Sequence, residues 1–276
     1  MQREFDPGYH RRPYRQLVAD YPDESVYPIE SFRVEWGPIF HRGRLDGSAR
    51  VLVIGQDPAA HESIARRILV GEAGQRAQGL LARLGIDRSY VFVNAFLYSV
   101  YGSRGARLVD DPAVTRYRNR WLDAIVANQE IEAIISLGQL ADTAYQLWHA
   151  SPKGAANTAR YANGRHPTYP ESASRSGTLT KAAAFADLCA SWNRVLDHVH
   201  DTVTPDTPRD LIHYGTTITD VDLAPIPSFD LPPGLPPWMG GLDAWAIRSG
   251  KSADLKRATI AVTVPSAARS WPRLNR

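Results

Sequence analysis

An apolar run that stops on a Gly-x-Asp-Pro break constrains this chain more than any other stretch. Residues 51–59 read Val-Leu-Val-Ile-Gly-Gln-Asp-Pro-Ala. An unbroken run of apolar, mostly β-branched residues suits a strand buried on both faces of a parallel sheet. Gly55 ends the strand, and Pro58, with no amide hydrogen to share, forbids its continuation. Asp57 is left at the carboxyl end, where open α/β sheets hold their ligands. A carboxylate is costly there if merely buried, which points to a task. The same spacing also fits an Asp that caps the following helix. On spacing alone both readings stand.

Other strand ends repeat the pattern. Tyr90-Val-Phe-Val-Asn94 is a second apolar run closed by a polar residue. The Asn94 amide offers a donor and an acceptor, as the imide edge of a pyrimidine requires, although a strand-end Asn also commonly starts a turn. Residues 131–137 read as a third buried strand. The segment Gly164-Arg-His-Pro-Thr-Tyr-Pro170 carries two prolines in four residues and reads as a rigid extended loop that holds His166. Helices are expected at Tyr14–Ala19, through Ala77, Leu80, Leu81 and Leu84 with Gly85 as the C-terminal cap, at 117–126, from Gln139 to about Trp148, and at 179–199. Ser172 to Gly177 reads as a flexible polar stretch able to lie along phosphates.

Taken together, these residues resemble the uracil-DNA glycosylase superfamily. Gly55-Gln-Asp-Pro58 is similar to a first active-site motif of that family, with Ala59 where some members have Tyr. Glu62 falls where the iron–sulfur members place a Glu. Residues 66–75, Arg-Arg-Ile-Leu-Val-Gly-Glu-Ala-Gly-Gln, are similar to a stretch of those members whose Phe stacks on the extruded base; Leu69 holds its place here. Asn94 matches a base-reading Asn, and His166-Pro-Thr168 matches the second motif, whose loop wedges into the minor groove. The chain most resembles a cluster-free branch, the Bradyrhizobium-type uracil-DNA glycosylases.

The resemblance implies a three-layer α/β/α sandwich around a short, mainly parallel four-stranded sheet. It implies a monofunctional enzyme that hydrolyses the N-glycosidic bond of deoxyuridine in DNA, releasing free uracil and leaving an abasic site. Asp57 and His166 would be catalytic. Gln56, Ala59, Glu62, Leu69, Asn94 and Phe96 would line the base pocket, with Phe96 or Tyr98 as substitutes for the stacking ring. Thr168, Tyr169, Pro170 and Arg175 would touch DNA, Tyr169 and Pro170 as the wedge. The alternative is a protein that binds or covalently traps uracil-DNA without turnover. Trapping would need His61 or His166, because residues 98–109 hold Arg104 and Arg107 but no histidine. A plain nucleotide-binding α/β domain is the third reading.

Composition sets the bounds. The 276 residues suit an N-terminal arm (1–48), a glycosylase-like domain (49–200) and a Pro-rich extension (201–276) in which Trp238, Leu242 and Trp245 call for packing partners. An edge strand is expected within 258–264. Residues 248–276 carry seven bases and one acid, a balance suited to a polyanion. Only four residues are Lys and the other 28 bases are Arg, and a guanidinium forms no Schiff base. The single Cys189 rules out a cluster held by four cysteines of this chain, and the scattered histidines show no zinc-ligand spacing. No cofactor or metal is expected. The opening residues form no signal peptide and no apolar run spans a membrane, so a cytoplasmic, nucleoid-associated monomer is expected.

Overall fold

The run at Val51–Ile54 forms the central strand of a five-stranded sheet in the computed structural model, which describes residues 9–101, 105–241 and 244–269. The strands are β1 (Arg42–Gly43), β2 (Val51–Gly55), β3 (Tyr90–Asn94), β4 (Ala133–Leu137) and β5 (Arg160–Gly164). Their spatial order is β1-β3-β2-β4-β5. The last four are mutually parallel, as expected; the added strand is the two-residue β1, antiparallel to β3. A two-residue strand carries no periodicity and left no mark in the sequence; the four strands expected were those the resemblance implied.

Alternation along the strands feeds two cores. Leu52 and Ile54 of β2 face one layer and Val51 and Val53 the other. The first layer holds α1 (Tyr14–Ala19), α4 (Pro112–Asn128) and α5 (Gln139–His149); the second holds α3 (Glu72–Arg83) and α8 (Lys181–Val199). Between them in sequence lie α2 (Ala60–Ala65), α6 (Pro152–Ala155) and α7 (Tyr169–Arg175). Local chemistry sets the boundaries. The Asp111 carboxylate accepts from the amides of Ala113 and Val114 at 2.9 and 3.1 Å, and Pro112 pre-sets the first turn of α4. Thr180 caps α8 in the same way. The N-terminal arm packs on the first layer, where Tyr14 stacks on Trp121 with ring centroids 5.9 Å apart.

Two expectations change here. Residues 172–175 are helical rather than flexible: Pro170 sits in the first turn of α7, where its fixed φ favours helix, and the Tyr169 amide donates to the His166 carbonyl at 2.8 Å. The rigid segment therefore shortens to 165–168. The strand expected within 258–264 is β7 (Ile260–Val262), which pairs not with the main sheet but with β6 (Ala246–Arg248) in a separate antiparallel ribbon.

The Pro-rich extension is held by side chains, not by regular structure. Asp230 is fully buried and its carboxylate accepts from Arg42 and Arg44 at 2.8 Å each and from the Tyr90 hydroxyl at 2.7 Å. Ile226, Leu231, Met239 and Trp245 pack with Ala60 and Ala65 of α2 in a third cluster, with Trp238 at its edge. Leu242, Arg104 and residues 270–276 lie outside the described residues.

Candidate active site

The carboxyl ends of β2, β3 and β4 and the loop after β5 meet at one edge of the sheet. Asp57 after β2, Asn94 at the end of β3 and His166 after β5 are the polar groups brought there, and Gly138 after β4 leaves room for the last.

Asp57 follows β2 by two residues and is partly exposed. Its Oδ2 accepts from the Val100 amide at 2.9 Å, and its Oδ1 accepts from the Gln56 side-chain amide at 3.2 Å. Burial nonetheless pushes its pKa up to about 6, against the opposing pull of those hydrogen bonds. The group is a carboxylate at neutral pH with little solvation, and so a strong local source of negative potential.

Asn94 pairs in register with Gly55. A Cβ on Gly55 would lie 2.4 Å from Asn94 Oδ1 and 3.4 Å from Leu69 Cδ1. Only glycine admits the amide and the leucine together at that point. Asn94 Oδ1 is buried and has no hydrogen-bond partner among the described residues. An unpaired buried acceptor costs about 1–3 kcal/mol, and a bound donor would remove that cost. Leu69 itself is buried and holds a left-handed backbone with φ of 51°, a conformation that costs a branched side chain roughly 1–3 kcal/mol.

His166 stands against the end of β4. Gly138, at φ of 95°, would bring a Cβ within 2.9 Å of His166 Cβ. The Thr168 amide donates to His166 Nδ1 at 3.2 Å, and the Thr168 hydroxyl lies 3.0 Å from the same nitrogen. A nitrogen that accepts from a backbone N–H carries no proton, so the ring proton sits on Nε2. Burial, assisted by the Arg76 guanidinium, lowers the pKa to about 4 and keeps the ring neutral. His166 is thus a neutral Nε2–H donor.

The loop that carries it is clamped by residues that sequence patterns did not reveal. Arg76 of α3, nearly fully buried, donates to the Pro167 carbonyl at 2.6 Å and grips Glu171 of α7 through both carboxylate oxygens at 3.1 and 2.9 Å. The Trp192 indole donates to the Arg165 carbonyl at 2.9 Å. Arg76 had no signal in the chain beyond its place on a helix, since its partner lies 95 residues away.

The remaining candidates fall into place unevenly. Gln56 sits beside Asp57, and Ala59 is exposed at the N-terminus of α2. Glu62 is buried, with one oxygen accepting from the Ala59 amide and the other from the Val70 amide, each at 3.0 Å. It ties the two loops that flank the site. Phe96 departs from expectation: it is fully buried in the opposite layer, 5.3 Å from the Phe32 ring. The strand path continues past Asn94, with the Ala95 and Phe96 amides donating to the Gly55 and Gln56 carbonyls, and this turns the ring away from the Gly55–Asn94 face. Tyr98 is likewise core, its hydroxyl donating to the Pro22 carbonyl at 3.0 Å. Neither is placed to stack on a base, which leaves Leu69 as the apolar wall. Thr168 is spent on His166. Pro170 is buried, Tyr169 is half-buried with Arg165 over its ring at 4.6 Å, and Arg175 is exposed.

Among the described residues no group of three His, Cys, Asp or Glu side chains is placed to hold a metal ion, and no helix is long and apolar enough to cross a membrane. At the carboxyl edge of its sheet, the α/β/α sandwich thus gathers a poorly solvated carboxylate, an orphaned amide oxygen and a neutral imidazole. Residues 42–189, more than half of the chain, match the family model described as the uracil DNA glycosylase superfamily, and the chain belongs to that superfamily. In general terms it is therefore a DNA glycosylase, a hydrolase of base-excision repair. Comparison with curated proteins gave no match.

Proposed function

We propose that the protein removes uracil from DNA by hydrolysis and leaves an intact abasic site. The observation that carries this reading is the buried, unpartnered Oδ1 of Asn94. Uracil presents an N3–H donor beside its O4 acceptor, which the two ends of an amide satisfy. Cytosine presents the reverse pattern, an N3 acceptor beside an amino group, and would leave Asn94 with like facing like.

Breaking the glycosidic bond leaves an oxocarbenium-like sugar and a uracil anion whose charge rests largely on O2. The Asp57 carboxylate stabilises the cation and orients the attacking water. His166 Nε2–H donates to O2 as charge develops there. A neutral donor suits this role because the anion needs a hydrogen bond and not a full proton transfer. The target must leave the base stack to reach the site, with Tyr169 as the wedge that holds it out. Leu69 forms the apolar wall, and Glu62, on the first turn of α2, stands as the barrier to the C5 methyl of thymine. None of the four lysines falls within the site motifs, which supports base removal without strand cleavage.

The trapping alternative draws no support from the histidines. His61 Nε2 already accepts from the Trp245 and Ala246 amides at 3.2 Å each. His166 holds its proton on the only ring nitrogen left open, so neither presents a nucleophilic lone pair.

The test is release of free uracil from single- and double-stranded oligonucleotides, with EDTA present. Wild-type protein should release uracil, Asp57→Asn and His166→Ala should each lose at least about two orders of magnitude, and circular dichroism should show all three folded. Near wild-type rates in both variants would overturn the assignment, and a protein–DNA adduct that survives boiling would favour trapping.

A further inference from the structure

The extension beyond residue 200 returns to the catalytic motif from behind. Its anchor is His61, three residues after Pro58, whose Nε2 accepts from two successive amides, those of Trp245 and Ala246. The Trp245 ring meets the imidazole edge-on, with centroids 4.8 Å apart, and both Trp245 and Ala246 are buried. The chain then emerges as β6. Ile247 is 58% exposed and Arg248 is exposed, while pairing with β7 fixes Arg248 opposite Ile260.

Arg248 therefore does not hang on a loose tail. A two-stranded ribbon bolted to α2 holds it beside the site, near enough for its charge to act on both Asp57 and Arg33. Arg33 is buried between the Trp36 and Tyr101 rings at 5.2 and 5.0 Å. It donates to the Val100 carbonyl, on the residue whose amide holds Asp57. Among the described residues neither arginine has a salt-bridge partner. Lys251 and Lys256 lie exposed in the connection between β6 and β7. An exposed cation without a carboxylate partner, on a ribbon whose connection carries further bases and with a second unpaired guanidinium buried behind it, matches a chain of phosphates. A guanidinium binds one bidentately.

We propose that the β6–β7 ribbon is a DNA-backbone clamp added to the glycosylase fold, in which Arg248 takes a phosphate flanking the extruded nucleotide. This rests on the reading of the site as one that acts on DNA. His61 is then a positioning residue, joining the catalytic motif to the clamp. Arg33 supports the clamp from within, holding the Asp57-bearing wall while adding positive potential that the phosphate balances.

The experiment compares wild-type protein with Arg248→Ala, Arg248→Lys and Arg248→Glu, binding a duplex that carries a stable abasic-site analogue. Affinity is followed from low to moderate salt. Arg248→Ala should weaken binding about tenfold at low salt and lower the slope of log K against log salt by about one. Arg248→Lys should recover most of the slope but less of the affinity, and Arg248→Glu should be the weakest. Arg248 is exposed, so misfolding is not expected, and a thermal melt checks it. Unchanged affinity and slope in both Ala and Glu variants would overturn the clamp. So would faster excision by Arg248→Ala, which would mark Arg248 as a mask over Asp57. Failure of the functional reading would look different: wild type would release no uracil, while the salt slopes would still report on the clamp.

Discussion

In the role proposed for it, Asp57 would serve function at the expense of stability. Its native pKa of about 6 lies above the ordinary aspartate value, because burial disfavours the charged form. A group with a raised native pKa favours the folded state while protonated. That contribution is complete below about pH 4 and is lost as pH rises through about 6. At neutral pH the ionised carboxylate therefore strains the fold that positions it. Asp57→Asn should raise stability at pH 7.5 by about 1–2 kcal/mol, allowing for partial exposure, and the gain should fade below about pH 4. Thermal melts across pH check this; a variant no more stable at pH 7.5 would mean the carboxylate is well solvated. The same ionisation should shape the rate. Excision should rise with pH to a plateau above about 6. His166, neutral down to about pH 4, should add no break near its ordinary value. A flat profile down to pH 5 would remove ionised Asp57 from the mechanism.

Among elements, the loop after β5 decides whether His166 is a donor at all. Gly138 and Arg76 hold it from two sides, the first by absence of a side chain and the second by charge and hydrogen bonds. Gly138→Ala should displace the imidazole and destabilise the protein, because its φ of 95° disfavours any Cβ and the new atom would meet His166. Excision should fall at least tenfold while DNA affinity changes far less. Equal losses in both would show a general collapse instead. Arg76→Gln should let the His166 pKa rise from about 4, since the removed charge helped depress it, while burial keeps it below the ordinary value. Ring-proton NMR titration reads this directly, and an unmoved pKa would show that burial alone sets it. Much of this edge was legible in the chain. β2, β3 and β4 announced themselves as apolar runs, and the polar residues that follow β2 and close β3, Asp57 and Asn94, marked the site. β5 did not, because Arg160-Tyr-Ala-Asn-Gly is an edge strand with only Ala162 and Gly164 buried. Arg76, Arg33 and the Val100 amide were also silent: each acts through a contact far away in sequence.

At the scale of the molecule, the segment that matches the family does not stand alone. Arg42 and Arg44 begin that segment, and their carboxylate partner, Asp230, lies beyond its end. Asp230→Ala would leave two buried guanidinium groups uncompensated, a loss of about 3–5 kcal/mol, visible as a lower urea midpoint. Asp230→Asn, which keeps the shape but not the charge, should lose less. A midpoint within error of wild type for Asp230→Ala would show that water replaces the carboxylate. No sequence pattern predicted this bond, since a Pro-rich stretch without periodicity shows turns but not what they pack against.

The anchoring of α2 by Trp245 and Ala246 also sets an order in time. A ribosome makes the Asp57 motif early and the residues that brace it far later, about 10–40 s at typical bacterial-to-eukaryotic rates of elongation. Over that interval the helix behind the motif lacks its cover, with Ala60, Ala65 and Val70 open to water. Nascent chains halted near residue 220 should be cut by protease around α2, and chains that have released residue 246 should resist. The motif is thus among the first parts of the site to be synthesised and among the last to be secured.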